Sequence, residues 1–314
     1  MKNLAPIVIF TYARPEHTKN MIETLAKNNL AKKSEVFIFS DNAKKEIYKE
    51  NVEKVRKYIN TIPNKGMFKN VTIIEAEKNK GLANSVIEGV TKIINRYGKV
   101  IVLEDDLVVS TTFLDYMNDA LEFYSTDNRI WSISGYNLPI EIPKKYKHEI
   151  YLSYRGCSWG WATWKDRWNN VDWKVVDYNK FKHSVSRRKK INRGGNDMAQ
   201  MLDCQMKGKC DSWAIRWCYE QSKKDMLTIY PVKSLVTNQG LDGSGTHSGD
   251  IRTFDVKHYE IVPKLEKNIV LNKEITKEFK NKFDEGFNQR IIEIFTILGM
   301  EKIIDKIRRS RHGK

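Results

Sequence analysis

Residues 100–110 read VIVLEDDLVVS, an apolar run that ends on three adjacent carboxylates, Glu104, Asp105 and Asp106. Like charges at that spacing repel unless something positive sits among them. A helix N-terminus capped by the acids, nearby lysines, or a divalent cation would each serve. Mg²⁺ and Mn²⁺ are hard cations that take oxygen ligands, commonly one or two protein carboxylates with substrate phosphate oxygens completing the shell. A cation held that way would stabilise charge developing on a leaving phosphate. A further acid, Asp211 in KCDSWAIRW, precedes an aromatic run at the expected start of a helix, where the helix dipole favours an ionised carboxylate. It is either an N-cap or a general base able to take a proton from an attacking hydroxyl.

The elements that must position these groups alternate along the first half of the chain. APIVIFTY, SEVFIFSD, NVTIIEAE and KVIVLEDD are compact apolar runs of strand length. Between them, RPEHTKNMIETLAKN, KEIYKENVEKVRKYINTI and GLANSVIEGVTKIINRYG carry helical spacing, the first with Pro15 in its opening turn and the last ending at Gly98. This order predicts an α/β fold, a mainly parallel sheet flanked by helices. Ligands of such sheets bind beyond the carboxyl ends of the strands. Those ends deliver Thr11, Tyr12 and Arg14; Ser40, Asp41 and Asn42; Asn79 to Leu82; and the acidic trio, so polar groups from four strands converge on one rim.

Beyond residue 110 a helix is expected in STTFLDYMNDALEFYST, capped by Ser110 or a neighbouring threonine. A less regular stretch follows, and all eight tryptophans lie in it, between 131 and 217. Four of them crowd CSWGWATWKDRW around Gly160, read as a flexible glycine. Aromatic faces stack on sugar rings, which makes Trp159, Trp161 and Trp213 candidates to floor a sugar site, the alternative being a tryptophan-rich core. NQGLDGSGTHSGD has the glycine density of a mobile loop around His247. From about residue 270 the pattern is helical and increasingly basic: Ile291, Ile292, Phe295, Leu298, Ile303, Ile304 and Ile307 precede Arg308, Arg309, Arg311 and Lys314. Such a segment can lie on an anionic membrane or pack against the rest of the chain.

The 314 residues carry 55 Lys plus Arg against 39 Asp plus Glu, a net charge of +16 that favours anionic partners. Nucleic acid is not among those expected, because no helix-turn-helix, zinc-finger or RNA-recognition signature is present. The cysteines Cys157, Cys204, Cys210 and Cys218 form no CxxC pair, which predicts reduced, structural thiols. The N-terminus has no signal-peptide pattern, and no run of about 18 apolar residues occurs, so the expected location is cytoplasmic.

PIVIFTYARPEHT, FIFSDNA, NKGLANSVIEG, VIVLEDDLVVS, SISGYN, CSWGWATW, DSWAIRW and NQGLDGSGTH, in that order, resemble bacterial sugar transferases of the GT-A superfamily. Within it they are similar to family 2 relatives of N-acetylglucosaminyltransferase I. The resemblance covers roughly residues 5 to 250. It implies a GT-A fold and a Mn²⁺- or Mg²⁺-dependent, inverting transfer from a UDP-sugar to a hydroxyl of a glycan or lipid-linked acceptor in surface polysaccharide biosynthesis. It implies Asp106 of the DxD-type motif as the direct metal ligand, with Glu104 and Asp105 touching the donor's sugar or ribose. Arg14 would lie near phosphate and base and Asp41 near uracil or the donor sugar; Thr11 and Asn79, on the same rim of strand ends, are read as donor contacts beside them. His247 would ligate the metal or touch the diphosphate. Asp211 matches an acidic-x-Trp element and would be the base; the family often has two adjacent acids there, whereas Ser212 follows here.

These readings divide the chain into a catalytic domain over 1–265 and a basic amphipathic helical segment over 266–314. Residues 1–110 of the catalytic domain would bind the nucleotide sugar and 111–265 the acceptor. A peripheral contact with an anionic membrane surface fits a lipid-linked acceptor. The competing class is a catalytically silent carbohydrate-binding or scaffold protein that keeps the fold. A nucleotidyltransferase is disfavoured because IFTYARPEH lacks the glycine-rich loop such enzymes carry near the first strand.

Overall fold

The computed structural model describes residues 3–242, 252–283 and 293–299. The parallel half is built as the hydrophobic pattern dictates. β1 (Ile7–Thr11) leads to α1 (Pro15–Ala26), β2 (Glu35–Ser40) to α2 (Lys49–Ile59), and β3 (Asn70–Glu75) to α3 (Leu82–Tyr97), which ends on left-handed Gly98 before β4 (Lys99–Glu104). Every residue of β1 and all of Val100–Leu103 are buried, which is why these strands read as continuous apolar runs rather than alternating ones. Register sets the ends of the strands level: Thr11 pairs with Ser40, Ser40 with Glu75, and Phe10 with Glu104.

The chain then forms β5 (Leu107–Val109) and α4 (Phe113–Phe123), followed by β6 (Ile130–Ser134), β7 (Ile150–Ser153) and β8 (Trp161–Trp164). Four helices come next, α5 (Lys165–Trp168), α6 (Tyr178–Lys182), α7 (Val185–Ile191) and α8 (Met198–Met206), then α9 (Trp213–Lys224), β9 (Leu227–Pro231), β10 (Val236–Asn238) and α10 (Lys273–Lys282). The main sheet runs β3-β2-β1-β4-β8-β6-β9-β7. Its first four strands are mutually parallel, β8 is antiparallel to β4 and β6, and β7 is antiparallel to β9. The α/β fold with helices flanking a largely parallel sheet is as expected. The stretch read as irregular instead supplies half of that sheet. Its strands are four or five residues long and buried along their length, so they offer neither the alternation nor the length that marks a strand in sequence.

Two local expectations change, and for the start of the C-terminal segment one of the two open alternatives is the one seen. α4 begins after Thr112, but neither Thr112 nor Ser110 caps it with a side chain, because the Thr112 hydroxyl donates to the Ile261 carbonyl at 2.6 Å. Gly160 is not a hinge: it holds φ +64°, and a Cβ there would lie 2.9 Å from Val236 and 3.3 Å from Phe113, so glycine is required for close packing. The beginning of the C-terminal segment belongs to the core. Asn272 caps α10 by accepting from the Glu274 and Ile275 amides, and Ile275 and Phe279 are buried, with Phe279 edge-on to Tyr230 at 5.4 Å. Ile291, Ile292, Ile303, Ile304, Ile307 and the terminal arginines lie outside the described residues.

Candidate active site

The acidic trio begins on the last residue of β4, Glu104, and fills the turn to β5 with Asp105 and Asp106, at the carboxyl edge of the sheet. β5 pairs antiparallel with β10, Leu107 opposite Asn238, and the Gln239 amide donates to the Asp106 carbonyl at 2.8 Å. Two distant stretches of chain are thereby fixed on either side of the Asp106 carboxylate. Gly240 comes so close that a Cβ there would lie 2.4 Å from Asp106 Oδ2 and 2.8 Å from Arg14 Nη1. Only glycine fits without displacing one of them.

The positive charge that the trio needs is, in this structure, Arg14. Its Nη2 contacts Asp105 Oδ1 and its Nη1 lies 3.1 Å from Asp106 Oδ2, while the Tyr12 amide donates to Asp105 Oδ2 at 3.1 Å. Burial works against the guanidinium charge, but Asp105, Asp106 and Glu104 more than offset it and hold the arginine pKa above its ordinary value. One guanidinium does not neutralise three carboxylates. Burial, then Asp106 and Asp105, push the Glu104 carboxyl up to about 8, and burial raises Asp105 despite Arg14. Asp106 Oδ1 is buried and has no hydrogen-bond partner.

The second feature of the rim is a latch. Asp41 Oδ1 accepts from the Asn42 and Lys80 amides, both at 2.9 Å; Oδ2 accepts from the Gly81 amide at 3.0 Å and from Asn79 Nδ2 at 3.1 Å. Asn79 also donates to the Asn42 carbonyl at 2.6 Å. Both residues therefore hold the loop that leads into α3, and Asp41 has little acceptor capacity to spare for a ligand. Beside them, Phe39, Ser40, Asp41, Ile74, Ala76 and Asn79 help to line an open cavity of about 570 Å³. Thr11 is buried at the end of β1, its hydroxyl donating to the Phe39 carbonyl at 3.4 Å, so it shapes the floor of the rim.

Asp211 is separated from the capping role. Ser212 is the N-cap of α9 and accepts from the Ile215 amide at 3.3 Å, leaving the Asp211 side chain 62% exposed with Arg216 Nη2 3.9 Å away. The Ser212 amide donates to Gln205 Oε1 at 2.5 Å, which ties this segment to α8. Asp211 Oδ2 lies 3.5 Å from where a Cβ of Gly81 would be, so the carboxylate faces the start of α3 as well as that of α9.

Residues 1–190 match the model of the GNT-I family. The chain belongs to that family. Its sheet with a rim of polar strand ends is the GT-A arrangement. No curated protein matches it. Among solved structures it is similar to the crystal structure of S. aureus TarS 1-349, with a TM-score of 0.40 and 12% identity over 75% of this chain and 61% of that one. A second S. aureus TarS structure gives a TM-score of 0.32 and 16% identity over 46% of this chain and 25% of that one. The chain thus spans less than two thirds of either.

GNT-I family enzymes are metal-dependent, and the residues here fit a divalent cation. Asp106 Oδ1 is a buried anionic oxygen without a partner, in a cluster whose negative charge Arg14 only partly offsets. Among the described residues no group of three His, Cys, Asp or Glu side chains could hold a metal ion by itself. His247 lies outside the described residues.

The acceptor side requires a correction. Trp161 is 1% exposed and Trp213 4%, and both belong to one core cluster with Trp168 and Trp217; Trp161 meets Trp217 edge-on at 4.4 Å and lies tilted against Trp213 at 5.1 Å. Rings covered on this scale have no face to offer a sugar. Trp159 is half-buried, edge-on to Tyr136 at 4.7 Å, and is the one of the three still placed to meet a ligand. Gly81 and Gly240 lay inside segments the sequence marked, NKGLANSVIEG and NQGLDGSGTH, but what each approaches across the fold was not visible there, and Gln205 had no signal at all.

Proposed function

We propose that this member of the GNT-I family is a metal-dependent, inverting glycosyltransferase that moves a sugar from a UDP-sugar to a hydroxyl of a glycan or lipid-linked acceptor in surface polysaccharide biosynthesis. The observation that carries the reading is the buried, unpartnered Asp106 Oδ1 within the Glu104-Asp105-Asp106-Arg14 cluster. Asp106 would hold the cation, and a bound Mn²⁺ or Mg²⁺ supplies charge stabilisation for the leaving diphosphate. Glu104 and Asp105 would bind the donor's sugar and ribose. The cavity beside Asp41 and Asn79 suits the nucleoside, with Asp41 contributing by setting the shape of the loop.

Asp211 acts as the general base. Its exposed carboxylate accepts the proton of the acceptor hydroxyl as that oxygen attacks the anomeric carbon on the face opposite the diphosphate. Ser212 keeps the carboxylate free by capping α9 in its place. Trp159 presents an aromatic surface to the acceptor. His247, in the glycine-rich stretch that follows Gly240 in the sequence, would ligate the cation or touch the diphosphate.

No helix among the described residues is long and apolar enough to cross a membrane. Peripheral contact is the mode that fits a lipid-linked acceptor at the inner face of the cytoplasmic membrane. It is supported by Ile294 and Leu298, 56% and 62% exposed one helical turn apart, just ahead of the basic residues from Lys302 to Lys314. The test of the function is a panel of nucleotide sugars incubated with Mn²⁺ and followed for UDP release. Turnover of a UDP-sugar supports the reading, and proton NMR of the product's anomeric centre decides inversion. Sugar binding without UDP release from any donor would favour the silent binding protein instead.

A further inference from the structure

The acidic trio is a cation site that already holds a cation, belonging to the chain itself. Arg14 spans two of the three carboxylates, with Nη2 on Asp105 and Nη1 3.1 Å from Asp106 Oδ2. The second oxygen of Asp106 is buried with no partner. Gly240 closes over the Oδ2 side of that pair, where any Cβ would collide with Asp106 Oδ2 and Arg14 Nη1 together. The guanidinium therefore lies against the carboxylate that a divalent ion would need, and a cation drawn to Oδ1 meets like charge within one carboxylate's width.

We infer that Arg14 is the resident counter-ion of this site, competing with a free divalent cation for Asp106 and giving way when the cation arrives with a nucleoside diphosphate. This rests on the metal-dependent reading above and adds to it an order of preference among ligands. Metal alone at Oδ1 must share the carboxylate with the guanidinium or displace it, and either way leaves the arginine beside a dication, which is unfavourable. Metal with a diphosphate brings an anion with which the displaced guanidinium can pair, so the displacement is offset. The two ligands then favour one another's binding beyond what their direct bond supplies, and the coupling is reciprocal. The chain would keep its acidic cluster neutralised in the absence of donor and take up the cation chiefly as the nucleotide complex.

The test compares wild type with Arg14→Gln and Arg14→Lys, measuring Mn²⁺ uptake by electron paramagnetic resonance with and without UDP. Opposite charges at this range bias a site by about tenfold or more. Arg14→Gln should therefore bind Mn²⁺ alone about tenfold more tightly than wild type and UDP, at saturating Mn²⁺, about tenfold more weakly. Arg14→Lys keeps one charge but cannot span both aspartates, so its affinity for Mn²⁺ alone should fall between the two; it carries the test should the glutamine variant fail to fold. Mn²⁺ uptake without UDP that is no tighter in either variant than in wild type overturns the inference and leaves the metal-dependent reading standing. No Mn²⁺ uptake by any of the proteins, with or without UDP, overturns both.

Discussion

Gly81 and Asp211 face each other across the rim, with Asp211 Oδ2 3.5 Å from the position that a Gly81 Cβ would take. The same Gly81 donates its amide to Asp41 at 3.0 Å. A glycine at φ +75° thus links the latch that shapes the donor loop to the carboxylate proposed as the base, 130 residues further along the chain. Asp41 holds the glycine by a hydrogen bond whereas Asp211 only approaches it, so replacing Asp211 leaves the latch in place and binding and transfer can be separated by mutation.

Asp211→Asn keeps the size of the side chain and leaves the Ser212 cap intact. It should lower the rate of sugar transfer by about 10²- to 10⁴-fold, the usual contribution of a general base, while calorimetric affinity for Mn²⁺ with UDP stays at the wild-type value. Ser212→Ala should do the reverse, costing about 1 kcal/mol of stability through the lost cap, read from thermal or urea unfolding. An Asp211→Asn protein that transfers at full rate would assign the base elsewhere.

Asp41→Asn removes the negative charge that gathers the amides of Asn42, Lys80 and Gly81. Hydrogen bonds to a charged acceptor are worth about 1.5–3 kcal/mol each, so the loop should open. Hydrogen exchange at the Lys80 and Gly81 amides should accelerate, and UDP affinity should fall with it. Unchanged exchange would mean that the loop is held by other contacts.

Gly240→Ala places a methyl where Asp106 Oδ2 would be 2.4 Å away. The variant should fold, because the collision is confined to the rim, yet lose Mn²⁺-assisted UDP binding by at least tenfold, on the order expected for disturbing a paired charge. Calorimetry on the purified variant checks it. Normal binding would place Gly240 outside the site.

Trp161→Ala and Trp159→Ala should differ in kind. Removing the Trp161 ring opens a cavity in the tryptophan cluster and should cost about 3–5 kcal/mol of stability. Trp159→Ala should cost less and chiefly raise KM for the acceptor. Equal losses of stability in both would make Trp159 a packing residue as well.

How much of this was legible in the sequence depends on distance along the chain. β1, β2 and β4 were, because burial on both faces turns them into apolar runs such as PIVIF and KVIVL, and β3, at the sheet's edge and not buried, followed from its β-branched NVTIIE. The rim followed from where those runs end, and with it Arg14, Asp41, Asn79 and the acidic trio. β6 to β9 were not, since short strands buried throughout share their composition with loops packed in a core. The roles of single residues were the least legible. Arg14 was read as a donor contact and turns out to neutralise Asp105 and Asp106, while Asp41 spends its carboxylate on backbone amides. Trp161 and Trp213 lie in a core that assembles only when β8 and α9 meet. Such facts concern contacts between residues far apart in sequence, which neither spacing nor periodicity encodes.

The central claim is that Asp106 holds a divalent cation bridged to a nucleoside diphosphate. Titration calorimetry of UDP into wild type and Asp106→Ala, each with and without Mn²⁺, tests it most directly. The account predicts UDP uptake by wild type that strengthens at least tenfold with Mn²⁺, an effect of the size expected for neutralising a charge at this range, and no Mn²⁺ effect in Asp106→Ala. UDP binding to wild type that is indifferent to Mn²⁺, or an Mn²⁺ effect that survives the loss of Asp106, would contradict it.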